Sequence, residues 1–133
     1  MRIVICDDNY STINFVHNSL ERLAKTSDWK VEFVLTTRKH TSVQQFLTLH
    51  RAEVYYISVD LENNEGFALA EEIRQRDPQA EIVLLSTSAT TLATVDDTVV
   101  KSYQMLLQEQ TAHFEKRLLE GFTALYNQKE AGT

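Results

Sequence analysis

The sequence predicts a doubly wound α/β domain, in which helices cover both faces of a five-stranded parallel sheet. Two observations lead to this fold class. Five short apolar segments alternate with five segments whose apolar residues recur every three or four positions, as on one face of a helix. Strands that alternate with helices in this way are typical of a parallel sheet. The chain has 133 residues, enough for one such domain with its own core.

The first two strand–helix pairs follow from hydrophobic spacing. Arg2–Cys6 (RIVIC) is continuous and rich in β-branched residues, as expected of a strand that is buried on both faces. Tyr10–Lys25 has the apolar spacing of a helix, and Lys30–Thr36 alternates like a second strand. A second helix is predicted over Thr41–His50, with Thr41 or Ser42 as its N-cap.

The next elements are bounded by glycine and proline. Val54–Ser58 (VYYIS) is a third strand, and a helix that begins near Gly66 has to end before Pro78. Glu81–Ser86 (EIVLLS) is the most continuous apolar strand of the chain. A short helix is predicted over Ala89–Thr98, where the many threonines weaken the pattern.

The last pair completes the domain. Tyr103–Gln108 is the fifth predicted strand, and Thr111–Gln128 carries one apolar stripe along a fifth helix. Residues 1–128 therefore form the predicted domain. Residues 129–133 (KEAGT) bring no core side chain, and we expect a tail or the start of a linker to a further C-terminal domain.

Composition excludes several classes of function. The formal net charge of −6 would repel the phosphate backbone of a nucleic acid. Cys6 is the only cysteine, so an internal disulfide is excluded, and a lone thiol in an apolar run suits a reducing compartment. No apolar run approaches the ~20 residues that span a bilayer, and the N-terminus turns acidic too soon for a signal peptide. The sequence predicts a cytoplasmic domain without membrane contact.

Polar residues lie at the ends of the first, third, fourth and fifth predicted strands, at the edge where such sheets bind ligands. These candidate site residues are Asp7, Asp8, Ser58, Ser86 and Gln108. Considered alone, the acidic pair is explained by capping of the first helix, whose dipole favours negative charge at its N-terminus. A functional role is favoured because the other polar residues share the same edge.

Three segments carry a resemblance to the receiver domain of bacterial two-component response regulators: IVICDDN, ISVDLENNEGFALAEEIRQRDP and IVLLSTS. Their sequence pattern most resembles that of receivers attached to LytTR-type DNA-binding domains in regulators of quorum sensing and bacteriocin production. The resemblance implies the flavodoxin-like (βα)5 fold with strand order 2-1-3-4-5. In that family an acidic pair and a third-strand aspartate hold Mg²⁺. The aspartate accepts phosphoryl from a histidine kinase, and a Ser/Thr and a Lys contact that group.

The resemblance carries over position by position, with two departures. The acidic pair is present, and Ser86 matches the hydroxyl after the fourth strand. The family's acceptor precedes a glycine by eight residues, so Gly66 places Ser58 at the acceptor position. Gln108 takes the position of the lysine. The resemblance therefore implies a degenerate phosphorylation pocket, or pseudo-receiver.

Both departures remove a group that phosphoryl transfer uses. A carboxylate is ionised at neutral pH, whereas the Ser58 hydroxyl needs an adjacent base before it attacks phosphorus. Gln108 donates hydrogen bonds but brings no positive charge to a transferring phosphoryl group. Asp7 and Asp8, with Asp60 through its backbone carbonyl, make at most a weak magnesium site. We expect that no cofactor is required.

Asp60 is the alternative acceptor. It lies two residues after Ser58 and six before Gly66, at a position that in the family lends a backbone carbonyl to the metal. The preferred interpretation of Asp60 is a solvated loop acid. Phosphorylation of Asp60 or Ser58 remains open as an alternative.

The leading hypothesis is a regulatory module, not an enzyme, that controls transcription through protein association without normal aspartyl phosphorylation. The resemblance implies a homodimer, a sensor histidine kinase as partner, and DNA contact only through a separate C-terminal domain. The partner face that it implies is formed by Val99, Tyr103, Phe114 and Arg117.

A hypothesis of another class is a small flavodoxin-like ligand-binding protein or enzyme. It would require a phosphate cradle, or a nucleophile paired with a base, at the strand ends. The chain has three glycines in all, and no histidine or lysine adjoins the strand-end residues.

Overall fold

The computed structural model describes residues 1–61, 65–88, 91, 104–107 and 111–131. The strands are β1 (Arg2–Cys6), β2 (Glu32–Thr37), β3 (Val54–Ser58), β4 (Glu81–Ser86) and β5 (Gln104–Leu107). The helices are α1 (Tyr10–Thr26), α2 (His40–Leu49), α3 (Glu65–Arg76) and α4 (Thr111–Ala131). All strand pairs are parallel, in the order β2-β1-β3-β4-β5.

The predicted fold class and the order of the first four strands are confirmed. β5 pairs with β4 over Gln104–Leu107, and the two ends of the predicted strand, Tyr103 and Gln108, lie outside the described residues. The helix predicted over 89–98 also falls outside them, apart from position 91. α4 continues to Ala131, three residues beyond its predicted end.

The predicted N-cap of α2 is wrong. The helix begins at His40, and Lys39 at the cap position makes no side-chain hydrogen bond to it. The Thr37 hydroxyl accepts the Lys39 N–H at 3.1 Å and so fixes the turn that leads into the helix. Thr41 and Ser42 are therefore carried into the first turn.

The core consists of two hydrophobic clusters, one on each face of the sheet. Along β3, Val54 and Tyr56 belong to the cluster under α1 and α4, while Tyr55 and Ile57 belong to the cluster under α2 and α3. Every residue of β3 is buried because this strand is central in the sheet. Its last residue, Ser58, is therefore withdrawn from solvent.

α4 is fastened to the segment that precedes β2. The rings of Trp29 and Tyr126 stack with centroids 4.3 Å apart, and the Tyr126 hydroxyl accepts the Lys30 N–H at 3.3 Å.

Within the described ranges, no helix combines the length and the apolar character that a membrane span requires.

Strand register decides which polar residues meet at the carboxyl edge. Cys6 lies opposite Ile57, so the next residues, Asp7 and Ser58, leave β1 and β3 side by side. Ser58 lies opposite Leu85, one residue before the end of β4. The three central strands therefore deliver their polar ends to one place.

Candidate functional site

The centre of the site is a buried carboxylate beside a buried hydroxyl. Asp7 is 4% exposed and Ser58 is 2% exposed. An Asp7 carboxylate oxygen accepts the N–H of Asn9 at 2.9 Å, whereas Asp8 turns outward and is exposed. The two predicted acids are thus split, because only Asp7 enters the edge of the sheet next to Ser58.

Neither acid caps α1, which corrects the simpler explanation of the pair. Asn9 is the N-cap, and its side-chain oxygen accepts the N–H groups of Ser11 at 2.8 Å and Thr12 at 3.4 Å. The Asp7 carboxylate holds the capping residue in place by accepting the Asn9 N–H. The sequence signal was the asparagine after the acidic pair, since asparagine is among the best N-cap residues.

Ser58 is held in place by the loop that follows it. Its Oγ accepts the backbone N–H of Asp60 at 3.1 Å. Gly66, at the start of α3, packs against the Ser58 backbone so closely that an added Cβ would lie 2.0 Å from the carbonyl oxygen. The close approach gives a physical reason for a glycine at this position.

Asp60 is not a merely solvated acid, and the preferred interpretation of it is wrong. The Ser86 hydroxyl donates to its Oδ1 at 2.6 Å. The Thr87 N–H and the Thr87 hydroxyl donate to its Oδ2 at 2.8 and 3.0 Å. The residue is exposed as a whole, but its carboxylate bridges the end of β3 to the end of β4.

The hydrogen bonds continue into the loop after β4. The Ser86 Oγ accepts the N–H of Ser88 at 3.0 Å, and the Ser88 Oγ accepts the N–H of Thr91 at 3.1 Å. Sequence reasoning found Ser86 but missed Thr87 and Ser88. The signal was present in the run of three hydroxyl residues, Ser-Thr-Ser, that ends the segment IVLLSTS.

The structure does not bring three carboxylates together for a metal ion. In the described ranges, no group of three or more His, Cys, Asp or Glu side chains is arranged to hold one. Asp8 is exposed, and the Asp60 side chain is occupied by donors from β4 and its loop. The described residues therefore do not fit the magnesium site that the resemblance implies.

The structure describes only two of the remaining predicted site and partner-face residues, Phe114 and Arg117. Gln108, Val99 and Tyr103 lie outside the described residues. Phe114 is 4% exposed and its ring lies 5.7 Å from that of Phe15, so its side chain belongs to the core and not to an exposed face. Arg117 is exposed on α4.

A cavity of about 590 Å³ opens beside the site, between the loops that follow β1 and β2. The Arg38 guanidinium lies 4.5 Å from the centre of the Tyr10 ring, and its Nε donates to the Asp8 carbonyl at 3.0 Å. The described residues that line the cavity include no histidine or cysteine. The cavity has the volume of a ligand site.

Cys6 lies directly before the acidic pair, at the end of β1, and is fully buried. Burial raises the pKa of its thiol from 9.0 to about 12, with further increases from the negative charges of Asp7, Asp8 and Glu65. The thiol is therefore protonated and unreactive in the folded chain at neutral pH.

The buried thiol predicts a loss of stability at alkaline pH. In the unfolded chain Cys6 ionises above pH 9, so its contribution is complete below that pH and is lost between pH 9 and about 12. We expect the free energy of unfolding to fall, relative to Cys6→Ala, by about 1.4 kcal/mol per pH unit above 9. Urea unfolding of both chains at several pH values measures it. A difference that stays constant with pH would contradict the assignment.

No family model matches the sequence, and no curated protein matches it. Solved structures do match. The receiver domain of RcsB from Salmonella enterica serovar Typhimurium is 17% identical with a TM-score of 0.70, over 96% of this chain and 88% of that one.

Two further solved structures have a similar fold. A CheY-like receiver domain protein from Methanospirillum hungatei JF-1 is 16% identical with a TM-score of 0.69, over 99% of this chain and 98% of that one. DrrB, an OmpR/PhoB homolog from Thermotoga maritima, is 16% identical with a TM-score of 0.71, over 96% of this chain and 53% of that one. Identities this low show the fold alone. The chain thus has the fold of response regulator receiver domains.

Proposed function

We propose that the chain is an atypical receiver module that regulates transcription through protein association and without ordinary aspartyl phosphorylation. The observation that carries the proposal is the position of Ser58. A neutral, 2% exposed hydroxyl ends the central strand next to Asp7, where a phosphorylated receiver needs a nucleophilic acid. Its Oγ already accepts the Asp60 N–H.

The chemistry around Ser58 supports this reading. A serine attacks phosphorus only when a base removes its proton. The neighbour in register is Asp7. Carboxylates are in general weaker bases than histidine for taking a proton from a hydroxyl. The Asp7 carboxylate is in addition engaged by the Asn9 N–H. The hydroxyl is therefore buried and without an effective base.

The proposed output is association of receiver-like modules. Arg117 provides an exposed charge on the face predicted for partners, whereas Phe114 is buried in the core. We assign the module to regulators with LytTR-type DNA-binding domains in quorum sensing and bacteriocin production, on the sequence resemblance. DNA contact then belongs to a separate C-terminal domain, since this chain carries a net charge of −6. A sensor histidine kinase is the proposed upstream partner.

Incubation with acetyl phosphate and Mg²⁺, followed by intact-mass measurement, tests the proposal. We expect no gain of a phosphoryl group in the natural chain, because the strand end offers no ionised nucleophile free of partners. A stoichiometric gain would overturn the proposal. Ser58→Ala and Asp60→Asn then identify the acceptor, since the mass gain disappears in the variant that lacks it.

One observation favours a second candidate, a receiver phosphorylated on Asp60. Its side chain is a carboxylate, the group that receivers phosphorylate, and its Oδ1 already lies 2.6 Å from the Ser86 hydroxyl. Against it, both carboxylate oxygens accept hydrogen bonds, which lowers their nucleophilicity. A mass gain that Asp60→Asn abolishes would establish this candidate.

A further inference from the structure

The cavity between the loops that follow β1 and β2 lies at the β2 side of the sheet edge. Its described lining comes from the loop after β1, the first turns of α1, the end of β2 and the turn that leads into α2. No residue of β3, β4 or the loops after them is among the described lining residues, so the cavity is separate from Ser58, Asp60 and Ser86. Its volume of about 590 Å³ lies within the roughly 300–1,000 Å³ that is usual for small-molecule sites.

Two cationic side chains at this cavity have no acidic partner among the described residues. Arg38 and Lys39 both line it, and neither forms an ion pair with a described residue. The Arg38 Nε donates to the Asp8 carbonyl at 3.0 Å, which leaves the two terminal nitrogens of the guanidinium without a described hydrogen bond. The only acidic side chain in the described lining is that of Asp8. Although the chain has a net charge of −6, this lining therefore carries more positive than negative charge.

An aromatic ring and a buried aliphatic side chain supply the apolar part of the lining. Tyr10 is 63% exposed and is one of two large apolar residues that the described part of the chain leaves exposed. The Arg38 guanidinium lies 4.5 Å from the centre of its ring. Ile13 follows almost one turn later on α1 and is 7% exposed. A guanidinium that stacks on a ring still binds a carboxylate or phosphate through its outer N–H groups.

We infer that this cavity binds a small aromatic anion. Arg38 and Lys39 bind its carboxylate or phosphate group, and its ring packs against Tyr10 and Ile13. The two head groups share the property that the site recognises, which is negative charge with several hydrogen-bond acceptors. A neutral ligand of the same shape would desolvate the two cations without pairing them, which is unfavourable.

A ligand in the cavity bridges two segments, the loop after β1 and the turn into α2, that the Arg38–Asp8 hydrogen bond already joins. The loop after β1 also carries Asp7, so occupancy of the cavity stabilises the sheet edge beside Ser58. The inference goes beyond the proposed function, because it gives a module without ordinary phosphorylation a small molecule as its signal. Ligand binding does not depend on that function: a mass gain with acetyl phosphate would leave the cavity testable, and a failed titration would leave the mass result standing.

Titration of the isotope-labelled chain with indoleacetate and with indoxyl phosphate, followed by amide NMR, tests the inference. We expect at least one of these anions to shift the amide resonances of Asn14, Thr37 and Lys39 in a saturable way, and the tighter one identifies the head group. Acetate has the charge without the ring, and tryptophol has the ring without the charge. Each should bind about tenfold more weakly or worse, since the ring contact or the charge-assisted hydrogen bonds are lost. Shifts with neither indole anion, or equally tight binding of tryptophol, would overturn the inference.

Two variants change the charge of the lining in opposite directions. Arg38→Gln removes a cation and should weaken binding of the indole anion about tenfold. Asp8→Asn removes a carboxylate that repels an anion and keeps the backbone carbonyl that Arg38 contacts, so binding should tighten about two- to threefold. Affinity that is unchanged in Arg38→Gln, or that falls in Asp8→Asn, would contradict a site for anions.

Arg22→Gln is the matched control. Arg22 is also an exposed arginine that lines a cavity, the smaller one of about 200 Å³ between α1 and α4, whose described lining includes Glu115. The substitution changes the net charge of the chain by as much as Arg38→Gln does. We expect the affinity for the indole anion to stay within about twofold of that of the natural chain, because a distant exposed charge is screened. Equal weakening by the two variants would mean that the anion responds to overall charge and not to this cavity, and the inference would fail.

Discussion

Replacing Ser58 by aspartate is expected to make the stability of the chain depend on magnesium. The new carboxylate would lie next to the 4% exposed Asp7, because the two positions leave neighbouring strands side by side. Two carboxylates about 4 Å apart repel by roughly 4 kcal/mol at an effective dielectric of 20. Partial screening leaves an expected loss of about 2–4 kcal/mol in the absence of divalent cations.

Magnesium should offset this loss, because a second carboxylate beside Asp7 supplies oxygen ligands for the cation. We expect millimolar Mg²⁺ to raise the melting temperature of Ser58→Asp by several degrees and that of the natural chain barely at all. Thermal melts in EDTA and in MgCl₂ measure both effects.

Ser58→Asn separates charge from size. Its side chain has nearly the volume of aspartate but no charge, so its melting temperature should not respond to Mg²⁺. Two results would count against the account: a Ser58→Asp chain as stable as Ser58→Asn in EDTA, or a natural chain that gains several degrees from Mg²⁺. The second result would mean that Asp7 and Asp8 already form a working site.

The fold was predictable because its signals are local and repeated. β1, β3 and β4 begin and end where predicted, since each is a continuous apolar run that the sheet buries. The first turn of α2 was mispredicted because Thr37 fixes the chain before the helix, and hydroxyl residues at 41 and 42 looked like better caps than Lys39. Capping depends on a tertiary turn that spacing alone does not reveal.

The candidate site was predictable as a set of positions but not as a set of contacts. Strand ends can be read from the sequence, and the register then brings Asp7 beside Ser58. The direction of a loop side chain cannot be read in the same way. Asp60 was assigned to solvent because it follows the strand by two residues, yet the Ser58 hydroxyl turns its backbone so that the carboxylate reaches Ser86.

Adding one methyl group at Gly66 is expected to destabilise the chain strongly. A Cβ at this buried position would lie 2.0 Å from the Ser58 carbonyl oxygen and 2.8 Å from the Val59 Cα. Both are backbone atoms of the central strand and its exit, which cannot turn aside as a side chain can. Overpacking of a core commonly costs 1–3 kcal/mol, and here we expect about 3 kcal/mol or more. Urea unfolding of Gly66→Ala measures it.

Gly121→Ala is the control, since Gly121 lies within α4 and is partly exposed. Alanine there should leave stability unchanged or raise it by up to about 1 kcal/mol through helix propensity. The contrast bears on the site as well as on the fold. In this chain the backbone of Gly66 packs against the carbonyl of Ser58, which ties the start of α3 to the end of β3. If Gly66→Ala were as stable as the natural chain, the spacing that assigns Ser58 to the acceptor position would lose its physical basis.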